Sequence, residues 1–100
     1  MTVSYERLVE TFGEPYDFRK GEILSDGKCD VEWYVEFEDG TVASIYDWKI
    51  GRLYCGDQGI DPENNLRWNI GGQSSDAVQR VTAALLLNED AEIRKLENSL

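Results

Sequence analysis

Residues 29–50, CDVEWYVEFEDGTVASIYDWKI, have the sequence pattern of a β-hairpin. From Val31 to Phe37 apolar residues occupy the odd positions, whereas glutamate or tyrosine occupies the even ones. This period of two is typical of a strand with one buried and one solvated face. Asp39-Gly40 supplies the positive φ angles of a two-residue type I′ turn. The sequence therefore predicts a hairpin with arms 29–38 and 41–50, around which the rest of the chain is organised.

A two-residue turn determines which residues lie opposite each other in the two arms. It pairs Trp33 with Tyr46, and it places every large aromatic side chain of the hairpin except Tyr34 on the core face. The other face then carries two rows of residues: Glu32, Tyr34, Glu36 and Glu38 on the first arm, and Thr41, Ala43, Ile45 and Asp47 on the second. In this register Glu32 lies directly opposite Asp47, and like charges so placed destabilise a sheet.

The carboxylates on this second face have two interpretations. An acidic protein places carboxylates on any solvated surface, which is the simpler explanation. Alternatively, the face binds a partner, because an unfavourable pairing of like charges is maintained when function requires it. The candidate partner-binding residues are Glu32, Tyr34, Glu36, Glu38, Asp39 and Asp47.

Length and charge limit the possible functions. One hundred residues make a single domain over 1–100. With 20 acidic and 10 basic residues the net charge is −10, which excludes binding nucleic acid by phosphate neutralisation and disfavours an anionic membrane surface. The charge is concentrated in residues 29–65, which contain nine acids and two bases. Such a field favours a basic protein, a cation, or a site that normally holds nucleic acid.

Residue types also argue against an enzyme or a metal protein. There is no histidine, so the usual general base and most transition-metal sites are missing. Cys29 and Cys55 match no zinc pattern, and Asp57, Asp61 and Glu63 lack the spacing of an EF-hand. We therefore predict no catalytic residues, no metal and no cofactor. Because the N-terminus resembles neither a signal sequence nor a membrane span, we expect a cytosolic protein with reduced thiols, although the sequence leaves a disulfide open.

The remaining segments predict an α+β fold. Ser4 is a good N-cap for a helix that ends at Gly13, and residues 22–24 are a candidate first strand. Residues 51–65 read as a long connection with a strand fragment at 53–55. A last strand over 66–70 ends at Gly71-Gly72, and a helix follows from Asp76. We expect a small antiparallel sheet of three to four strands, with the N-terminal and C-terminal helices packed on one face.

Three segments carry a resemblance to a known group of proteins. FGEP at 12–15, VEWYVEFEDGTVASIYDWK at 31–49 and WNIGG at 68–72 resemble small uncharacterised bacteriophage-encoded proteins with a pattern close to DGT-V-IY-K followed by W-IGG. The shared motifs are a turn and a strand end, so no catalytic residue is transferred. The resemblance implies a phage accessory protein that binds and inhibits a host protein in the host cytoplasm, including the DNA mimics and anti-defence inhibitors.

Two functional hypotheses follow. In the first, the acidic face binds a basic surface of a host protein, possibly one that binds nucleic acid. The spacing supports this hypothesis, because alternate strand residues lie about 6.8 Å apart and nearly match alternate phosphates of one DNA strand. Tyr34 interrupts that row of carboxylates. In the second, the protein is a small-ligand-binding module, such as a sponge for a nucleotide signal. Its ligand would be held by Tyr34, Tyr54 or the glycine loop around Gly71. Acidity disfavours the second hypothesis, and homo-oligomerisation stays open.

Overall fold

The computed structural model describes residues 1–22, 25–72, 76–87 and 93–95. In these ranges the helices are α1 Tyr5–Phe12, α2 Arg52–Cys55 and α3 Asp76–Leu87, and the strands are β1 Tyr16–Asp17, β2 Val31–Phe37, β3 Val42–Tyr46, β4 Asn69–Gly72 and β5 Ile93–Lys95. Short 3₁₀ turns lie at 18–20, 56–58 and 62–64. The predicted α+β class, with an antiparallel sheet and helices near both ends of the chain, is confirmed.

The sheet is antiparallel throughout and has the order β1-β2-β3-β4, with β5 also paired to β2. Helices α1 and α3 pack on one of its faces, where Leu8, Phe12 and Val81 join the odd residues of β2 in one core. Helix α1 begins as predicted, because the Ser4 hydroxyl accepts a hydrogen bond from the Arg7 amide. We call the sheet face that carries these helices the inner face, and the opposite one the outer face.

The hairpin register differs from the prediction by one residue. Glu32 pairs with Tyr46 and Trp33 with Ile45, because the loop has three residues, 38–40, rather than two. The Phe37 amide donates to the Thr41 carbonyl at 2.9 Å, and only Gly40 has a positive φ in this loop, +87°. These are the features of a type I turn followed by a bulge at the glycine.

A slip of one residue reverses every side chain of the second arm. Ala43 and Ile45, predicted on the solvated face, are buried on the inner face. Tyr46 and Trp48, predicted in the core, lie outside it, and Trp48 is 42% exposed. The predicted opposition of Glu32 and Asp47 is therefore wrong.

Three shorter predictions also need correction. The first strand is β1 at Tyr16–Asp17, which pairs with the beginning of β2. Of the predicted strand 22–24, residues 23 and 24 lie outside the described residues, and Glu22 is not in a strand. Residues 53–55 belong to helix α2 rather than to a strand. The turn into this helix requires Gly51, because a Cβ atom there would clash with the buried Asp30 carboxylate. Strand β4 continues through both glycines that were expected to end it.

Candidate binding groove

The outer face presents polar and aromatic side chains in two rows across the strands. Residues paired across a sheet point to the same side, so the register aligns Tyr16 of β1, Glu32 of β2, Tyr46 of β3 and Asn69 of β4. The next row contains Tyr34, Ser44 and Gly71. Glu32, Tyr34 and Tyr46 are all partly buried, although α1 and α3 pack on the other face.

A groove of about 420 Å³ lies on this face. We call it the Glu32 groove. Its floor comes from the sheet and its walls from the segments that flank β2 and β3: Phe18, Ser25, Asp26, Cys29, Glu32, Tyr34, Ser44, Tyr46, Trp48 and Gly71 line it. A second hollow of about 270 Å³, lined mostly by apolar surface, shares Tyr34, Ser44 and Gly71 with it. The two hollows therefore adjoin at these three residues.

Gly71 keeps the floor of the groove low. A Cβ atom at this position would lie 2.8 Å from Ser44 Oγ and 3.4 Å from Tyr46 Cε1. The first distance is shorter than real Cβ contacts allow, so any larger residue would displace Ser44. Because the φ of Gly71 is not positive, the glycine is needed here for space rather than for an unusual backbone conformation.

Glu32 is the central charged group of the groove. Burial raises its pKa, nearby Asp26 and Asp47 raise it further, and a hydrogen bond from the Tyr34 hydroxyl acts in the opposite direction. The pKa of the Tyr34 phenol is raised by burial and then by this hydrogen bond, so Tyr34 stays protonated as a donor. A partly desolvated carboxylate of this kind would be stabilised by a cation in the groove.

Aromatic side chains lie near Glu32 on the outer face, at the paired positions Tyr16 and Tyr46 and elsewhere in the groove lining. The Tyr16 and Tyr34 rings are 5.6 Å apart, and the Tyr46 and Trp48 rings are 6.2 Å apart and nearly perpendicular. The ammonium groups of Lys28 and Lys49 lie 5.5 and 5.4 Å from the Trp48 ring. The faces of tyrosine and tryptophan rings attract cations, so the groove combines a carboxylate with a favourable lining for positive charge.

Asp47, a predicted partner-binding residue, has a structural role instead. It is fully buried, and its Oδ1 accepts hydrogen bonds from the amides of Asp30 and Val31 at 2.9 and 3.1 Å. Asp30 is buried as well, and it accepts from the Arg52 and Leu53 amides at the beginning of α2. The prediction that Asp47 binds a partner is therefore wrong, because no partner reaches it.

The other predicted residues occupy different positions. Glu36 is partly buried on the outer face but does not line the Glu32 groove, and Glu38 is exposed in the hairpin loop. Asp39 holds that loop together: its carboxylate accepts from the Thr41 amide at 2.9 Å and lies 3.2 Å from Arg80 Nε of α3.

Sequence reasoning missed Tyr46 and Trp48 as groove residues, because the wrong register assigned them to the core. Tyrosine and tryptophan rings are amphipathic and occur both in cores and on surfaces, so residue type did not distinguish the two positions. The available signal was Glu38-Asp39-Gly40, which equally fits a three-residue loop with glycine at its last position. Tyr54, proposed for a ligand, is on α2 with its ring 5.6 Å from the Lys49 ammonium, and it does not line the groove.

Comparison with known proteins identifies no relative: no family model, no curated protein and no solved structure matches this chain. Within the described ranges, no group of three or more potential metal-ligating side chains could hold an ion. Cys29 and Cys55 are both free thiols, and burial raises the pKa of Cys29 to about 12. No helix in the described part of the chain is long and apolar enough to cross a bilayer.

Proposed function

We propose that this protein binds a basic partner protein through its outer face, with the Glu32 groove at the centre of the contact. The observation that carries the proposal is a partly buried glutamate on the floor of a groove lined by tyrosine and tryptophan, in a protein of net charge −10. Tyrosine and tryptophan are enriched at protein interfaces, and the arginine of a partner is their frequent counterpart. The overall negative field would steer a basic partner towards this face.

In its fuller form the proposal describes a phage-type accessory protein that inhibits a basic host protein, as an anti-defence inhibitor does, by occupying its functional surface. Strict DNA mimicry has less support. With Asp47 buried and Glu38 in the loop, β2 offers two carboxylates to the outer face, Glu32 and Glu36, with Tyr34 between them. Recognition through a groove and a few flanking charges therefore fits better than imitation of a phosphate row.

A second candidate is a small-ligand module. Its support is that Tyr34 and Gly71, two of the residues expected to hold a ligand, line the same groove. Glu32 and Asp26 also line it, so a nucleotide would bring its phosphates against two carboxylates. A small cation suits the groove better than a nucleotide signal does.

The proposal is tested by neutralising the outer face and comparing an equal change elsewhere. The outer-face variant is Glu32→Gln, Glu36→Gln and Glu38→Gln, and the control variant is Glu6→Gln, Glu14→Gln and Asp57→Asn, whose side chains are exposed. Both lose three negative charges. Each tagged protein is incubated with bacterial lysate, and captured proteins are quantified at two salt concentrations.

We expect the parent and the control variant to enrich the same basic protein, and the outer-face variant to lose it. Capture should also weaken between about 0.05 and 0.5 M salt, because the Debye length falls from about 14 to 4 Å. Equal capture by both variants, or capture that is unaffected by salt, would contradict the proposal.

A further inference from the structure

We propose that the Glu32 groove is a receptor for one guanidinium group, normally an arginine side chain of the partner. This inference rests on the proposed function, and it specifies which chemical group the site recognises. Arginine is more weakly hydrated than lysine, stacks on aromatic faces and binds carboxylates through a planar fork of donors.

The position of the guanidinium follows from the groups already in the groove. Glu32 and Tyr34 both line the groove, and the two oxygens of the Glu32 carboxylate can accept two N–H donors from a planar fork. Lys28 and Lys49 already lie against the Trp48 ring, so the bound cation belongs over the Tyr46 ring, at the same end of the groove as Glu32. Asp26, also in the lining, adds a second negative charge.

The dimensions of the groove favour a whole arginine residue over a small inorganic ion. Its volume of about 420 Å³ exceeds what a single metal ion needs, and the described residues provide no metal-binding cluster. The adjoining hollow along Val42 and Gly72 offers apolar surface for the residues next to that arginine. Gly71 places no side chain in this lining, where a Cβ atom would lie 2.8 Å from Ser44 Oγ.

The test uses N-acetyl-arginine amide as the probe and records the fluorescence of Trp48. Trp33 and Trp68 are 0% and 2% exposed, whereas Trp48 lines the groove, so a change in emission reports on Trp48. N-acetyl-citrulline amide is the neutral probe of the same shape, and N-acetyl-lysine amide tests whether any cation suffices. A Gly-Gly-Arg-Gly-Gly peptide distinguishes a free arginine derivative from arginine within a chain.

We expect saturable binding of the arginine amide and tighter binding of the peptide. Citrulline and lysine amides should each bind about tenfold more weakly, because citrulline lacks the positive charge and lysine lacks the planar fork of donors. Glu32→Gln should weaken arginine binding about tenfold. The control Glu14→Gln, which removes the same charge from an exposed residue outside the groove, should leave binding unchanged. Tyr46→Leu provides a second variant, and loss of its ring should weaken binding about threefold.

Failure to saturate, equal binding of citrulline or lysine amide, or unchanged binding by Glu32→Gln would each overturn the guanidinium site. The two proposals fail separately. If lysate capture survives Glu32→Gln alone but not the triple variant, the acidic face binds its partner without this site. If arginine amide binds but no basic protein is captured, the groove is a small-cation site and the proposed function is wrong.

Discussion

Asp47 and Glu32 are two carboxylates near the same end of the hairpin, and burial raises the pKa of both. Asp47 lies within the fold, where two backbone amides donate to its Oδ1. Glu32 lies on the floor of a groove, where the neighbouring Tyr34 hydroxyl partly offsets the rise in its pKa. The first carboxylate joins the beginning of β2 to the end of β3, whereas the second faces a space that a ligand can enter.

The comparison shows that a raised carboxylate pKa does not identify a binding site by itself. Burial is the first cause in both residues, and backbone hydrogen bonds partly counteract it at Asp47. The difference lies in what the remaining lone pairs can reach. A carboxylate enclosed by the chain stabilises the fold through its hydrogen bonds, while one with access to a groove retains capacity for an external donor.

The largest expected effect is the difference in lost stability between a substitution on the inner face and one on the outer face. Trp33 is fully buried on the inner face, packs 5.3 Å from the Trp68 ring, and donates through Nε1 to the Gly13 carbonyl at 2.7 Å. Trp33→Ala should lower the free energy of unfolding by about 3–5 kcal/mol. Tyr46→Ala, on the partly exposed outer face, should cost about 1 kcal/mol, since the substitution leaves no core cavity.

Urea denaturation of both variants measures this difference. Similar losses for Trp33→Ala and Tyr46→Ala would show that both rings are in the core, as the two-residue turn requires, and that the observed register is wrong.

A smaller effect distinguishes the two carboxylates directly. Asp47→Ala removes the acceptor of the Asp30 and Val31 amides and leaves both donors buried, so the free energy of unfolding should fall by about 1–3 kcal/mol. Glu32→Ala exposes no buried backbone donor and should change it by about 0.5 kcal/mol or less. Chemical denaturation at neutral pH tests the pair, and an equal loss in both variants would remove the distinction between a structural and an accessible carboxylate.

The smallest expected effect is the pH dependence of Glu32. A carboxylate whose folded pKa is raised favours folding while it is protonated, and this contribution is lost as pH rises through the folded pKa. Glu32→Gln should therefore be slightly more stable than the parent at pH 7, and the two proteins should converge below about pH 4, the ordinary glutamate pKa. Thermal melts at a series of pH values measure the difference.

Subtraction of the two curves cancels the other titrating groups, including Asp17 and Glu63, whose pKa values Arg19 lowers through hydrogen bonds and which therefore act in the opposite direction. Glu36→Gln removes the same charge from the same face and controls for general repulsion. A stability difference between parent and Glu32→Gln that is constant from pH 7 to pH 3 would mean that Glu32 is not desolvated in the groove.

Features that depend on neighbouring residues could be predicted from the sequence. The alternation in β2 is confirmed, because all four of its odd-numbered side chains are fully buried. The Ser4 cap and the positive φ of Gly40 are confirmed for the same reason, since each depends on contacts or backbone sterics within a few residues. Glu32 and Tyr34, both chosen from this alternation, do lie together on the outer face.

The length of the hairpin loop depended instead on contacts distant in sequence. Asp39 holds the three-residue loop by binding Thr41 locally and Arg80 of α3 across the fold, and the inner face accepts Ala43 and Ile45 beneath the helices. Compared with the predicted register, this shift of one residue places Tyr46 in the groove and Asp47 in the interior. Because side chains alternate with a period of two, a local pattern cannot choose between adjacent registers, and the packing of the whole domain makes the choice.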